Sequence, residues 1–161
     1  MREEPENRLD SRAVNYWRLA GVISAVIYWV VVVSYWYASS LWQVLPGWVT
    51  TGLAALALIG SVYEILIVPA VRWNTWRYEI SDMEIYLRHG VVVKHRTLIP
   101  MTRVQHVDTV KGPLLGLFGL ATVTIATAAG THEIPALSDS VAAVLRDRIA
   151  ELARVTEEHD G

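Results

Sequence analysis

A chain of 161 residues with 14 basic and 16 acidic side chains, a net charge of −2 and 53% hydrophobic content has the length of one domain. At a mean hydropathy of +0.31 it is too apolar to be an ordinary soluble one, so part of it belongs in lipid. The absence of cysteine excludes disulfides, thiolate metal sites and cysteine nucleophiles, and no nucleic-acid partner is expected.

The charge is unevenly spread. Residues 1–18 balance Glu3, Glu4, Glu6 and Asp10 against Arg2, Arg8, Arg12 and Arg18, and no charged residue follows until Glu64. The first segment is expected to be a cytoplasmic tail. From Leu19 to about Ala38 the chain is continuously apolar, matching the roughly twenty residues that cross a hydrocarbon core about 30 Å thick. A second run, Trp48 to Ala70, is long enough to return, and Ser39 to Gly47, with Pro46 and no charge, is the turn between them. A signal peptide is the competing reading of the first run, but the run is too long and lacks a small-residue cleavage site. Residues 19–70 are therefore expected to form a transmembrane hairpin. Tyr16, Trp17, Tyr35, Trp36, Tyr37, Trp42, Trp48, Trp73 and Trp76 cluster near its ends, where aromatic rings favour the headgroup layer. Arg8, Arg12 and Arg18 precede the first helix, Arg72 and Arg77 follow the second, and the turn has no basic residue. By the positive-inside rule both termini face the cytoplasm, in a cell (inner) membrane.

Beyond Arg72 the pattern alternates, as in half-buried strands. Strands are predicted over Trp76–Ile80, Glu84–His89, Val91–Ile99, Arg103–Val110, Gly119–Ala128 and Thr131–Ala136. Ser81–Met83, Gly90 and Gly130 supply turns, and Leu114–Phe118 is an apolar connection of unassigned structure. Ser138 and Asp139 suit the start of a helix to about Thr156, with Val141, Val144, Leu145, Ile149 and Leu152 as its buried stripe. The β-rich domain is expected to span 71–156, leaving 157–161 as a C-terminal tail. The fold class is thus a membrane α-hairpin plus a small α+β domain. A domain of about eighty residues is expected to lean on the hairpin or on another chain.

Thr97–Val110, TLIPMTRVQHVDTV, then Lys111, Gly112 and Pro113, then FGLATVTIATAAG over Phe118–Gly130, downstream of a two-helix hairpin, resemble the bacterial PH-like domain family of YdbS-type membrane proteins. The resemblance covers nearly everything after Leu19. It implies a PH-like, partly open antiparallel β-barrel capped by a C-terminal helix. It also implies a larger membrane protein carrying several copies of the domain as a companion, and a loose link to envelope stress or antimicrobial resistance.

The chemistry-bearing residues are sparse. His89, His95, His106, His132 and His159 repeat no ligand spacing, although His89 and His95 approach one another if they sit on paired strands around Gly90. No nucleophile elbow, phosphate loop or zinc-protease motif is present, so no enzyme, metal or cofactor is expected. Between Arg72 and Lys111 basic residues outnumber acidic ones. Arg88, Lys94 and Arg96 converge on one hairpin; the first reading is that cations beside a membrane serve orientation only, and the alternative is a lipid-headgroup candidate in which each is worth about 1 kcal/mol near an anionic leaflet. Glu64, alone among ionisable residues within the spans, is costly there; it is expected to snorkel toward headgroups or to pair with Arg18. Leu115, Leu117 and Phe118 form a partner-contact candidate if exposed. The function expected is a non-enzymatic scaffold or subunit of an inner-membrane complex, as a homo-oligomer or with the larger companion. The alternative is an anionic-lipid-sensing module, with membrane lipids as its partners.

Overall fold

A computed structural model describes Pro5 and residues 7–42, 46–90 and 93–160. It divides into two compact units, residues 14–71 and residues 1–13 with 72–161.

The first unit is built on α1 (Arg12–Trp42) and α2 (Gly47–Val62), the latter continued by a π-helical turn (Tyr63–Ile67) and α3 (Val68–Thr75). Two segments, Arg12–Leu41 and Gly47–Thr75, have the length and apolarity to cross a bilayer. Their outward residues are large and apolar, among them Val26, Val30, Leu56 and Ile59. Four of the buried positions are small, Gly21, Ala25, Ala57 and Ser61, and Trp17, Val32 and Pro69 are buried with them. Small residues let two helix backbones approach closely where lipid supplies no hydrophobic drive. A β-carbon on Gly21 would lie 2.8 Å from the Glu64 carbonyl oxygen, so only glycine fits there. The Ser61 hydroxyl donates back to the Ala57 carbonyl at 2.6 Å, which keeps its polar group satisfied.

The second unit holds β1 (Arg77–Ile80), β2 (Glu84–His89) and β3 (His95–Pro100) in one antiparallel sheet. A second antiparallel sheet holds β4 (Val104–Val110), β5 (Leu120–Thr127) and β6 (Gly130–Ser138). The short α4 (Pro113–Leu117) links β4 to β5, and α5 (Asp139–Asp160) follows β6. Alternation sorts the side chains: Tyr78, Ile85, Leu87 and Ile99 are buried from the first sheet, and Leu120, Val123, Ile125 and Ile134 from the second. Met101 and Val104 join them at the link between the sheets. The described strands form two three-stranded sheets and no closed barrel.

Three expectations change in detail. Residues 1–18 are not a free tail throughout, because α1 begins at Arg12, with the Asp10 carboxylate accepting from the Arg12 amide at 2.8 Å as a cap. Ahead of it Asn7 bridges Tyr78, Leu9 is buried, and the Leu9 carbonyl accepts from the Trp73 indole at 3.3 Å. The third strand starts at His95 instead of Val91, with Val91 and Val92 outside the described residues. The stripe of α5 is rotated. Ala142 and Ile149 are fully buried with Leu145 and Leu152 half-buried beside them, whereas Val141 and Val144 are exposed. At 100° per residue Val144 falls well outside the arc centred on those four. Gln43–Leu45, within the expected hairpin turn, also lie outside the described residues.

Candidate functional site

The hairpin of β2 and β3 turns at Gly90, whose φ of +101° and whose would-be β-carbon, 2.0 Å from the Val93 carbonyl oxygen, admit glycine alone. Counting back from that turn, His89 pairs with His95 and Arg88 with Arg96; across the other edge of β2, Arg88 also pairs with Arg77 of β1. Three arginines therefore stand in register on adjacent strands, all on the sheet face opposite Tyr78 and Leu87. Lys94, exposed, immediately precedes β3. Of the expected triplet, the structure pairs Arg88 with Arg96 directly and sets Lys94 beside them. It adds Arg77, which in the sequence is a cation flanking the second span and one of the basic surplus between Arg72 and Lys111 but no member of the triplet. The Arg77 guanidinium donates to the Trp76 carbonyl at 2.8 Å.

Each arginine has a ring as its chain neighbour on the opposite face. Trp76 stacks on His89 with centroids 4.7 Å apart, and His89 stacks on His95 at 5.3 Å. Burial, and then the proximity of His95, holds the His89 imidazole below its usual pKa. Its Nδ1 is buried without a hydrogen-bond partner among the described residues. The two histidines do approach, as the Gly90 turn suggested. They meet as stacked planes, and no group of three or more potential metal ligands occurs among the described residues. Burial also pushes the Tyr78 phenol up.

Several exposed charge pairs lie elsewhere on this unit. His106 and Asp108 meet at 2.7 Å on β4, Arg148 of α5 reaches Asp82 at 3.0 Å, and Lys111 bonds Asp139 at the head of α5. Each is worth at most about 1 kcal/mol.

The other candidates separate. Leu115 and Phe118 are half-buried beside β5, leaving Leu117 exposed at 74%; one exposed leucine is ordinary surface. Glu64 sits in the π-helical turn, half-buried, and accepts a hydrogen bond from the Tyr28 hydroxyl at 2.6 Å. Its partner is thus a neutral donor on the facing helix and not Arg18. Tyr28 carries no polar neighbours in sequence to flag it, whereas Arg77 was findable by extending the Ser81–Met83 turn into a register.

Residues 11–153 match the family model described as Bacterial PH domain. The chain is 42% identical over 158 residues to the UPF0699 transmembrane protein YdbS of Bacillus subtilis (strain 168), covering 98% of this chain and 99% of that one. It is 28% identical over 97 residues to the UPF0699 transmembrane protein YdbT of the same bacterium, covering 60% of this chain and 20% of that longer one. No solved structure matches it.

Proposed function

Given that this chain belongs to the bacterial PH domain family, we propose that it is a non-enzymatic membrane module that binds anionic lipid headgroups. Its hairpin anchors it in the inner membrane with both termini in the cytoplasm, and its PH-like domain engages headgroup phosphates through Arg77, Arg88 and Arg96, with Lys94 beside them. The observation that carries this reading is the in-register row of arginines. A guanidinium fork is suited to charge-assisted, bidentate hydrogen bonds with phosphate, and three of them on one sheet face present that chemistry together. Chain connectivity favours a lipid source. Only Trp76 separates Arg77 from Thr75, the last residue of the apolar span, so the first arginine lies within about 7 Å of the span's end.

The test is to purify the full-length protein in mild detergent and identify retained phospholipids by mass spectrometry. Anionic lipid is expected on the unchanged protein and is expected to be lost when Arg77, Arg88 and Arg96 are replaced by Gln. Equal retention by both overturns the reading.

A second reading, a scaffold or subunit of an inner-membrane complex acting in envelope stress or antimicrobial resistance, is favoured by the similarity to a much longer transmembrane protein. One type of domain present in a short and a long chain suits assembly of the two. Recovery of a stoichiometric protein partner, equally by the unchanged protein and by the arginine variant, supports it. Recovery of none contradicts it.

A further inference from the structure

The hairpin carries a polar group that its own helices satisfy only in part. Glu64 Oε1 receives the Tyr28 hydroxyl at 2.6 Å, but Oε2 has no hydrogen-bond partner among the described residues. Its neighbour Tyr63 is 53% exposed, and its phenol likewise has no hydrogen-bond partner among the described residues. Both begin the π-helical turn, the kind of local irregularity that re-aims side chains within a helix. They lie nine and eight residues from Arg72, about 12–14 Å at the helical rise. A tyrosine or glutamate side chain is too short to cover that distance to the headgroups. In hydrocarbon an unmet donor and an unmet acceptor each cost several kcal/mol.

An unmet donor and an unmet acceptor on consecutive residues, at one depth, are complementary to a copy of themselves. We propose that two copies of this chain pair side by side in the membrane about a two-fold axis near Tyr63. The Tyr63 hydroxyl of each copy then donates to Glu64 Oε2 of the other. A two-fold interface makes both bonds from one surface, as an isologous contact requires. Tyr28 keeps its own role, holding Oε1 within the hairpin so that Oε2 is presented outward. The pairing stands apart from the headgroup reading, because no residue of the arginine row takes part in it.

The absence of native cysteine makes the test direct. In lipid bilayers, full-length protein with the single substitution Ile67→Cys, on the same exposed side as Tyr63, is expected to cross-link to itself. Val30→Cys, exposed on α1, is expected not to. Subunit counting by single-molecule photobleaching is expected to show dimers that Tyr63→Phe weakens about tenfold, the loss of two membrane hydrogen bonds, while Tyr28→Phe changes dimerisation by less than about threefold. Monomers at every protein density, or dimers indifferent to Tyr63→Phe, overturn the proposal.

Discussion

The two units of this chain solve opposite problems with one alphabet. In the hairpin, large apolar side chains such as Val26, Trp29, Leu58 and Ile59 point outward, and the inner positions are mostly small, Gly21, Ala25, Ala57 and Ser61, with Trp17, Val32 and Pro69 and the Tyr28–Glu64 bond beside them. In the β domain, Ile85, Leu87, Ile125, Ile134 and Ile149 are inside and the charges are outside. The inversion shows that burial alone says little until the solvent is named. In water, removal of apolar area drives packing. In lipid that drive is absent, and close backbone approach with a few hydrogen bonds replaces it.

The contrast is broken most sharply by truncating one large side chain in each unit. Ile125→Ala, in the central strand of the second sheet, is expected to cost about 2–5 kcal/mol, read as an earlier urea midpoint for loss of amide protection in the β domain. Leu58→Ala, lipid-facing, is expected to leave the thermal stability of the hairpin unchanged. A matching loss at Leu58 would mean that the hairpin packs as a water-soluble core does.

Adding a methyl group reverses the ranking. Gly21→Ala forces a β-carbon to within 2.8 Å of the Glu64 carbonyl oxygen and is expected to destabilise the hairpin by about 1–3 kcal/mol. Gly52→Ala, which meets nothing within 4 Å, is expected to be neutral or stabilising by up to about 1 kcal/mol through helix propensity. Melting temperatures in one detergent compare the two. Smaller still, Tyr28→Phe is expected to cost roughly 0.6 kcal/mol, the average for a hydrogen bond between membrane helices.

The smallest effect belongs to the β domain. The His89 imidazole is held below its usual pKa by burial and by His95, so between that lowered value and about 6.5 the unfolded chain binds a proton that the folded one does not. Domain stability is therefore expected to be steady above pH 6.5, to fall as pH drops through this window and to level off below it. His89→Asn is expected to flatten that segment of the profile, and an unchanged slope would place the acid sensitivity elsewhere.

Elements were legible in the sequence wherever period and punctuation agreed. Glu84–His89 keeps its expected limits because Ser81–Met83 and Gly90 bracket it, and the family resemblance stated from Thr97–Gly130 holds over residues 11–153. The spans stood out because a single charge, Glu64, falls within their apolar runs. Three features were harder to see. Asn7 and Leu9 attach to the β domain through backbone groups, which leave no mark in hydropathy. Arg77 joins Arg88 only once the Ser81–Met83 turn is extended into a strand register, a step beyond any hydropathy pattern. On α5, valines at 141 and 144 imitate a buried stripe, and the difference lies in Ala142, too small to weigh in a hydrophobic count yet fully buried.

The most direct test of a bilayer anchor with a cytoplasmic domain is accessibility of single cysteines to a membrane-impermeant maleimide in intact cells. Trp48→Cys, at the exposed start of α2, is expected to react from outside, Leu58→Cys to stay unreactive, and Val144→Cys, exposed on α5, to react only after the cells are opened. Labelling of Val144→Cys from outside, or of Leu58→Cys in any condition, would contradict the account.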